Sequence, residues 1–121
     1  MDWKKIKFFN ESEFKCNHCG KCEMDEEFML TLDSARDDAR VPFKINSGYR
    51  CDEHDKAEGG KGNHNTGKAA DIAVASSRQR YLILSALIEM GFQRIGIGQN
   101  FIHVDSCTDE DGKPTEVVWL Y

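Results

Sequence analysis

Apolar residues in this chain change period along its length, and the changes mark its elements. Phe28, Leu32, Ala35 and Ala39 recur at helical spacing. Asp25 stands ahead of them as an N-cap, with Met24 and Met29 placed to staple across it. Pro42 ends this helix by Arg40 or Val41. Residues 43–47 then alternate and predict a strand, and 69–74 predict a second. Ser76 with Gln79 forms a capping box for a second helix, whose buried stripe is read as Tyr81, Leu84, Leu87 and Ile88, with Gly91 closing it. Residues 94–98, 101–107 and 115–121 read as three further strands, the last two joined by a polar turn over 109–114. Helix, two strands, helix, three strands predicts an α+β domain with a small, mainly antiparallel sheet and two helices. Residues 48–68 are polar and glycine-rich and read as one long loop, a length that is often functional.

The 121 residues fit a single domain, 1–121. Lys and Arg number 16 and Asp and Glu 21, for a net charge of −5, which argues against nucleic acid or an anionic membrane surface as partner. No apolar run approaches the roughly 18 residues that cross a bilayer. The first ten residues carry charge without an apolar run behind it, so no secretory signal is read and the expected location is the cytoplasm.

Alternation also exposes candidate chemistry. On the strand 69–74, Asp71 shares a face with Ala69 and Ala73, while Ala70, Ile72 and Val74 suit a core. On 101–105, Phe101, His103 and Asp105 share a face opposite Ile102 and Val104. With His64 in the preceding loop, these segments offer two imidazoles and a carboxylate, the set a catalytic zinc takes when a fourth position stays open. The plain alternative is a loop histidine at His64 and a satisfied, half-buried one at His103.

The run Ser47-Gly48-Tyr49-Arg50, then Gly59-Gly60, then His64-Asn65-Thr66-Gly67-Lys68-Ala69-Ala70-Asp71, then Phe101-Ile102-His103-Val104-Asp105 resembles the zinc D-Ala-D-Ala carboxypeptidases of the hedgehog/DD-peptidase fold. That fold includes phage endolysins cutting the peptide part of peptidoglycan. The resemblance spans roughly Phe8 to Val104, and the start of the chain, with Glu13-Phe14-x-Cys16, looks like short phage and prophage members. It implies zinc ligands at His64, Asp71 and His103 and a substrate-binding Arg50 that pairs with a peptide carboxylate or an oxyanion. Three positions depart from the pattern. Gly62 replaces a serine of many relatives, Asn100 stands where one branch has a glutamate base, and Phe101 stands where others have an assisting histidine. Asp105 is then a candidate proton carrier or an orienter of a ligand, and Asp52, Glu53 and His54 are further candidates.

Five cysteines exclude a complete intramolecular disulfide framework. Cys16, Cys19 and Cys22 have the gaps of a zinc knuckle and supply three ligands for a second, structural ion. A fourth would come from Cys51, His54, His18 or Cys107. A disulfide such as Cys51 with Cys107 or Cys16, and plain free thiols, are the alternatives.

The expected function is a zinc-dependent peptidase hydrolysing peptidoglycan stem peptides as carboxypeptidase or endopeptidase, monomeric and endolysin-like, reaching the wall on release. The competing readings are a non-catalytic zinc-binding recognition or virion-assembly module on the same fold and, third, a cysteine-rich adaptor.

Overall fold

The computed structural model describes residues 1–59 and 62–121. Gly60 of the Gly59-Gly60 pair, with Lys61, lies outside the described residues. Helix α1 spans Glu26–Ala39 and starts where its cap dictates, the Asp25 carboxylate accepting from the Phe28 N–H. Met24 and Met29 are both buried. Arg40 closes the helix in a left-handed conformation. Helix α3 spans Ser77–Glu89, its first turn held by the Ser76 hydroxyl accepting from Gln79 N–H and the Gln79 side chain accepting from Ala75 N–H.

Two expectations for the helices change. The buried face of α3 is Ile83, Ala86 and Leu87, while Tyr81 is 69% and Ile88 55% exposed. Residues 81–84 are all apolar and offer two overlapping stripes, and packing onto α1 selects the one through Ile83. The long loop contains a short helix α2, Asp52–Ala57, capped by Cys51. Its residues are polar on every side apart from the terminal Ala57, so no apolar period announced it.

Among the described residues the strands are β1 Ile45–Ser47, β2 Ala69–Ala73, β3 Arg94–Ile97, β4 Phe101–Asp105 and β5 Val117–Leu120, in sheet order β1-β2-β4-β3-β5. Three of the four pairings are antiparallel, whereas β5 joins β3 in parallel. The polar turn after β4, with its 3-10 turn at Asp109–Asp111, therefore carries the chain across β3 rather than back along β4.

The faces follow the alternation. Ala70, Ile72, Ile95, Ile102 and Val104 are buried in one core with Phe28, Leu32, Ile83 and Leu87 of α1 and α3. Phe9, Phe14 and Phe43 extend that core under the N-terminal segment. The opposite face holds the chemistry. Register places Ser47, Asp71, His103, Gly96 and Trp119 in one row across all five strands. The neighbouring row sets Ala69, Asp105 and Arg94 side by side.

Candidate metal centre

Direct cross-strand partners on one face stand close enough for their side chains to meet. Asp71 and His103 are such partners, and Asp71 Oδ1 lies 2.9 Å from His103 Nδ1. His64 comes from a 3-10 turn, His64–Thr66, just before β2, and its Nε2 lies 3.4 Å from the same Oδ1. One ligand atom from each of the three residues lies within 4.8 Å of the others. Two imidazoles thus converge on one carboxylate, with His64 and His103 buried and Asp71 half-buried.

Each imidazole is also held from behind. His64 Nδ1 donates to the Gly48 carbonyl at 2.8 Å, which turns Nε2 toward Asp71. His103 Nε2 donates to Asp105 Oδ2 at 2.6 Å, which aims Nδ1 at Asp71. A carboxylate or carbonyl behind a histidine is the usual support for a metal-binding ring. Burial alone would raise the Asp71 pKa, but hydrogen bonds with His103 and His64 hold it well below the usual carboxylate range. Burial lowers and the Asp105 and Asp71 carboxylates raise the His103 pKa, with a net upward shift. The donor set and its charge fit a divalent cation with zinc's ligand preferences.

Arg50 stands at the edge of this group. Its Nη2 is 3.5 Å from Asp71 Oδ2, its Nη1 is 3.5 Å from Asp55 Oδ1, and its Nε donates to Ser47 Oγ at 3.0 Å. Asp55 in turn accepts from the Gly62 N–H at 3.1 Å. The residues predicted from sequence therefore meet in one place, with Arg50 beside Asp71 on the side away from the core.

The family model described as Peptidase M15 matches residues 7–105. The chain belongs to the peptidase M15 family. Among curated proteins no sequence matches the chain. Membership makes the group of His64, Asp71 and His103 the candidate centre of a zinc-dependent metallopeptidase.

In this M15 chain Asp105 has no free surface. It is fully buried, with Oδ2 on His103 and Oδ1 taking both Arg94 Nε at 2.6 Å and the Cys107 N–H at 3.1 Å. Burial pushes its pKa up, and His103 and Arg94 pull it lower by more. Arg94 also donates to the Pro114 carbonyl at 2.6 Å and lies over the Trp119 ring at 5.0 Å. Sequence reasoning passed over Arg94. The available signal was a charged residue in an otherwise apolar strand.

Trp119 was also missed. Its ring is 5.6 Å from the His103 ring, and Tyr121 packs against Phe101 at 5.0 Å. Gly96 makes this possible, because a Cβ there would collide with both Trp119 and Tyr121. The parallel pairing that brings β5 over the site leaves no trace in local periodicity. Phe101 is thus part of an aromatic wall. Asn100 is exposed, and its carbonyl accepts from the Val74 N–H at 2.9 Å. Of the other proton-carrier candidates, Asp52 accepts from Asn65, Glu53 is exposed on α2, and His54 lies at the cysteine cluster. A cavity of about 450 Å³ beside α1, lined by Phe28, Lys68, Cys107 and Thr108, includes none of His64, Asp71 and His103.

The cysteine expectation needs a correction. The sulfurs brought together are those of Cys16, Cys19 and Cys51, within 4.8 Å of one another. Cys22 instead packs half-buried against the hydrophobic core, three residues past Cys19 where the chain has already turned away. All five thiols are free. Burial pushes the Cys16 thiol up, but backbone N–H groups of Cys51, Cys19 and His18 and the His54 ring bring it down to about 5. Among the described residues no helix is long and apolar enough to cross a membrane.

Proposed function

We propose that this chain hydrolyses peptidoglycan stem peptides as a zinc-dependent D-Ala-D-Ala carboxypeptidase or endopeptidase of the endolysin type, working as a monomer once it reaches the wall. The observation that carries this reading is the meeting of His64 Nε2, Asp71 Oδ1 and His103 Nδ1 beside the Arg50 guanidinium.

His64, Asp71 and His103 are the residues that would hold zinc. Zinc bound there supplies a Lewis acid that polarises a carbonyl and lowers the pKa of water to about 7. Gly48 and Asp105 take the outer ring N–H groups, so that His64 Nε2 and His103 Nδ1 are the atoms that would give up a proton and bind zinc. Asp105 has the orienting role of the two considered, since its oxygens are saturated and no surface of it faces substrate. Arg50 meets Asp71 and Asp55 at 3.5 Å, too loosely to consume its N–H groups. A peptide's terminal carboxylate or developing oxyanion takes the remaining N–H groups as a forked, charge-assisted partner. Trp119, with Phe101 and Tyr121, walls the site on the β5 side and limits water at His103.

The test incubates zinc-loaded protein with purified peptidoglycan and follows released D-alanine and new free amino groups by mass spectrometry. Release that disappears in His103→Ala, with the fold kept by circular dichroism, supports the peptidase. Zinc binding without any release supports instead a recognition module, the reading favoured by the absence of a titratable group at Asn100 and Phe101.

A further inference from the structure

A second group of soft donors stands apart from the triad, on segments distant in sequence. Cys16 and Cys19 lie in the turn Cys16-Asn17-His18-Cys19-Gly20-Lys21. The turn is closed by Gly20 N–H to the Cys16 carbonyl at 2.9 Å and Cys16 N–H to the Lys21 carbonyl at 2.7 Å, with Gly20 at φ +74°. Cys51 caps α2 and His54 sits one turn along it, a Cys-x-x-His spacing facing the Cys-x-x-Cys turn.

The three sulfurs stand at slightly more than coordination spacing, and His54 approaches them from the Cys16 side. A tetrahedral ion with sulfur at about 2.3 Å and nitrogen at about 2.0–2.1 Å sets adjacent ligand atoms about 3.5–3.8 Å apart. His54 Nδ1 is 3.5 Å from Cys16 Sγ, and the three sulfurs lie within 4.8 Å of one another. Backbone N–H groups already point at the sulfurs, Cys51 N to Cys16 Sγ and His54 N to Cys51 Sγ, each at 3.4 Å. His54 Nε2 is 3.4 Å from Glu58 Oε1, the carboxylate support that leaves Nδ1 free to bind. His18 Nδ1 reaches Cys51 Sγ at 3.4 Å, but His18 is exposed while the His54 side chain is only 16% exposed.

We infer that Cys16, Cys19, Cys51 and His54 form a second, structural zinc site of the Cys3His type, which clamps the N-terminal turn to the start of α2. Arg50 immediately precedes Cys51, and Asp55 immediately follows His54. The ion therefore holds the residues next to Arg50 and next to the Asp55 carboxylate that meets it. Such a clamp ties two segments together without adding to the core.

Zinc content by mass spectrometry of protein purified under reducing, anaerobic conditions tests this. Wild type should hold two ions per chain, His103→Ala one, Cys19→Ser one, and the double variant none. Cys19 is exposed, so its loss removes little packing, and a fall in Tm beyond about 5 °C reports the ion. His54→Ala should lose the same ion, while His18→Ala keeps it. His103→Ala loaded with cobalt should show the near-ultraviolet thiolate-to-cobalt charge-transfer band, a readout independent of the triad and of activity. No such band, two ions retained in Cys19→Ser, or a Cys16–Cys51 disulfide in the anaerobically purified chain would overturn the site. Retention in His54→Ala with loss in His18→Ala would overturn the choice of His54.

Discussion

The molecule gathers metal-binding side chains in two places, and the two are built differently. Asp71 and His103 sit on paired strands whose register fixes them opposite each other, and each histidine of the triad has a partner behind it. The sulfur cluster lies between a turn and the first turn of a six-residue helix, each closed by its own backbone bonds, with Cys51 N–H to Cys16 Sγ as a bond between them. The triad is thus arranged before a metal arrives, with Arg50 at its side. The cluster is drawn from two elements that share no strand register, so an ion there would join them. Open, prearranged sites suit catalysis, and closed sites that finish a fold suit structure.

The sharpest way to separate the two is Arg50→Ala. It should lower turnover about 10²–10³-fold, the scale of a lost oxyanion donor. Zinc at both places should stay, and loss of metal would put Arg50 among the structural residues. Next, Asp105→Asn should weaken zinc at the triad by about 10–100-fold while leaving the sulfur site untouched. Equal zinc affinity in this variant would remove Asp105 from the support of His103.

Acidity distinguishes the two further. The folded His103 pKa is raised, so its contribution to the metal-free protein is complete below the ordinary histidine value of about 6.5 and is lost as pH rises through the shifted value. Asp71 and Asp105 are lowered, so theirs is present above about 4 and lost as pH falls through the shifted values. Metal-free protein should therefore have its highest Tm between about pH 4 and 6.5. Zinc displaces the proton on His103 Nδ1, so added zinc should move that optimum upward and release protons at neutral pH. A flat Tm profile without zinc would contradict the charges assigned to the triad.

The last comparison concerns the core that carries both sites. Ile83→Ala should cost about 2–5 kcal/mol in denaturant unfolding, as a fully buried side chain on α3. Tyr81→Ala, at an exposed position, should fall within about 0.5 kcal/mol. The reverse order would restore the stripe read from periodicity.

Much of the candidate site was legible because strands have a period of two. Ile72 and Ile102 had to face the core, and that alone turned Asp71 and His103 outward together. The caps at Asp25 and Ser76 were legible because their side chains bond to backbone within three residues. Contacts made only by the finished fold were not. Arg94 meets Asp105 across two strands, and Trp119 reaches His103 through a parallel pairing at the end of the chain. Cys51 rather than Cys22 completes the sulfur group because α2, polar on nearly every side, gave no apolar signal of where it would turn. Spacing within a cluster is visible in a sequence, whereas the distant partner that closes it is decided by packing.

The most direct measurement is anomalous diffraction at the zinc edge from crystals grown with zinc. A peak bonded by His64 Nε2, the Asp71 carboxylate and His103 Nδ1 at about 2.0–2.2 Å, with a fourth position open toward Arg50, is the predicted result. A pocket without a peak, with Asp71 still bridging the two imidazoles, would contradict it.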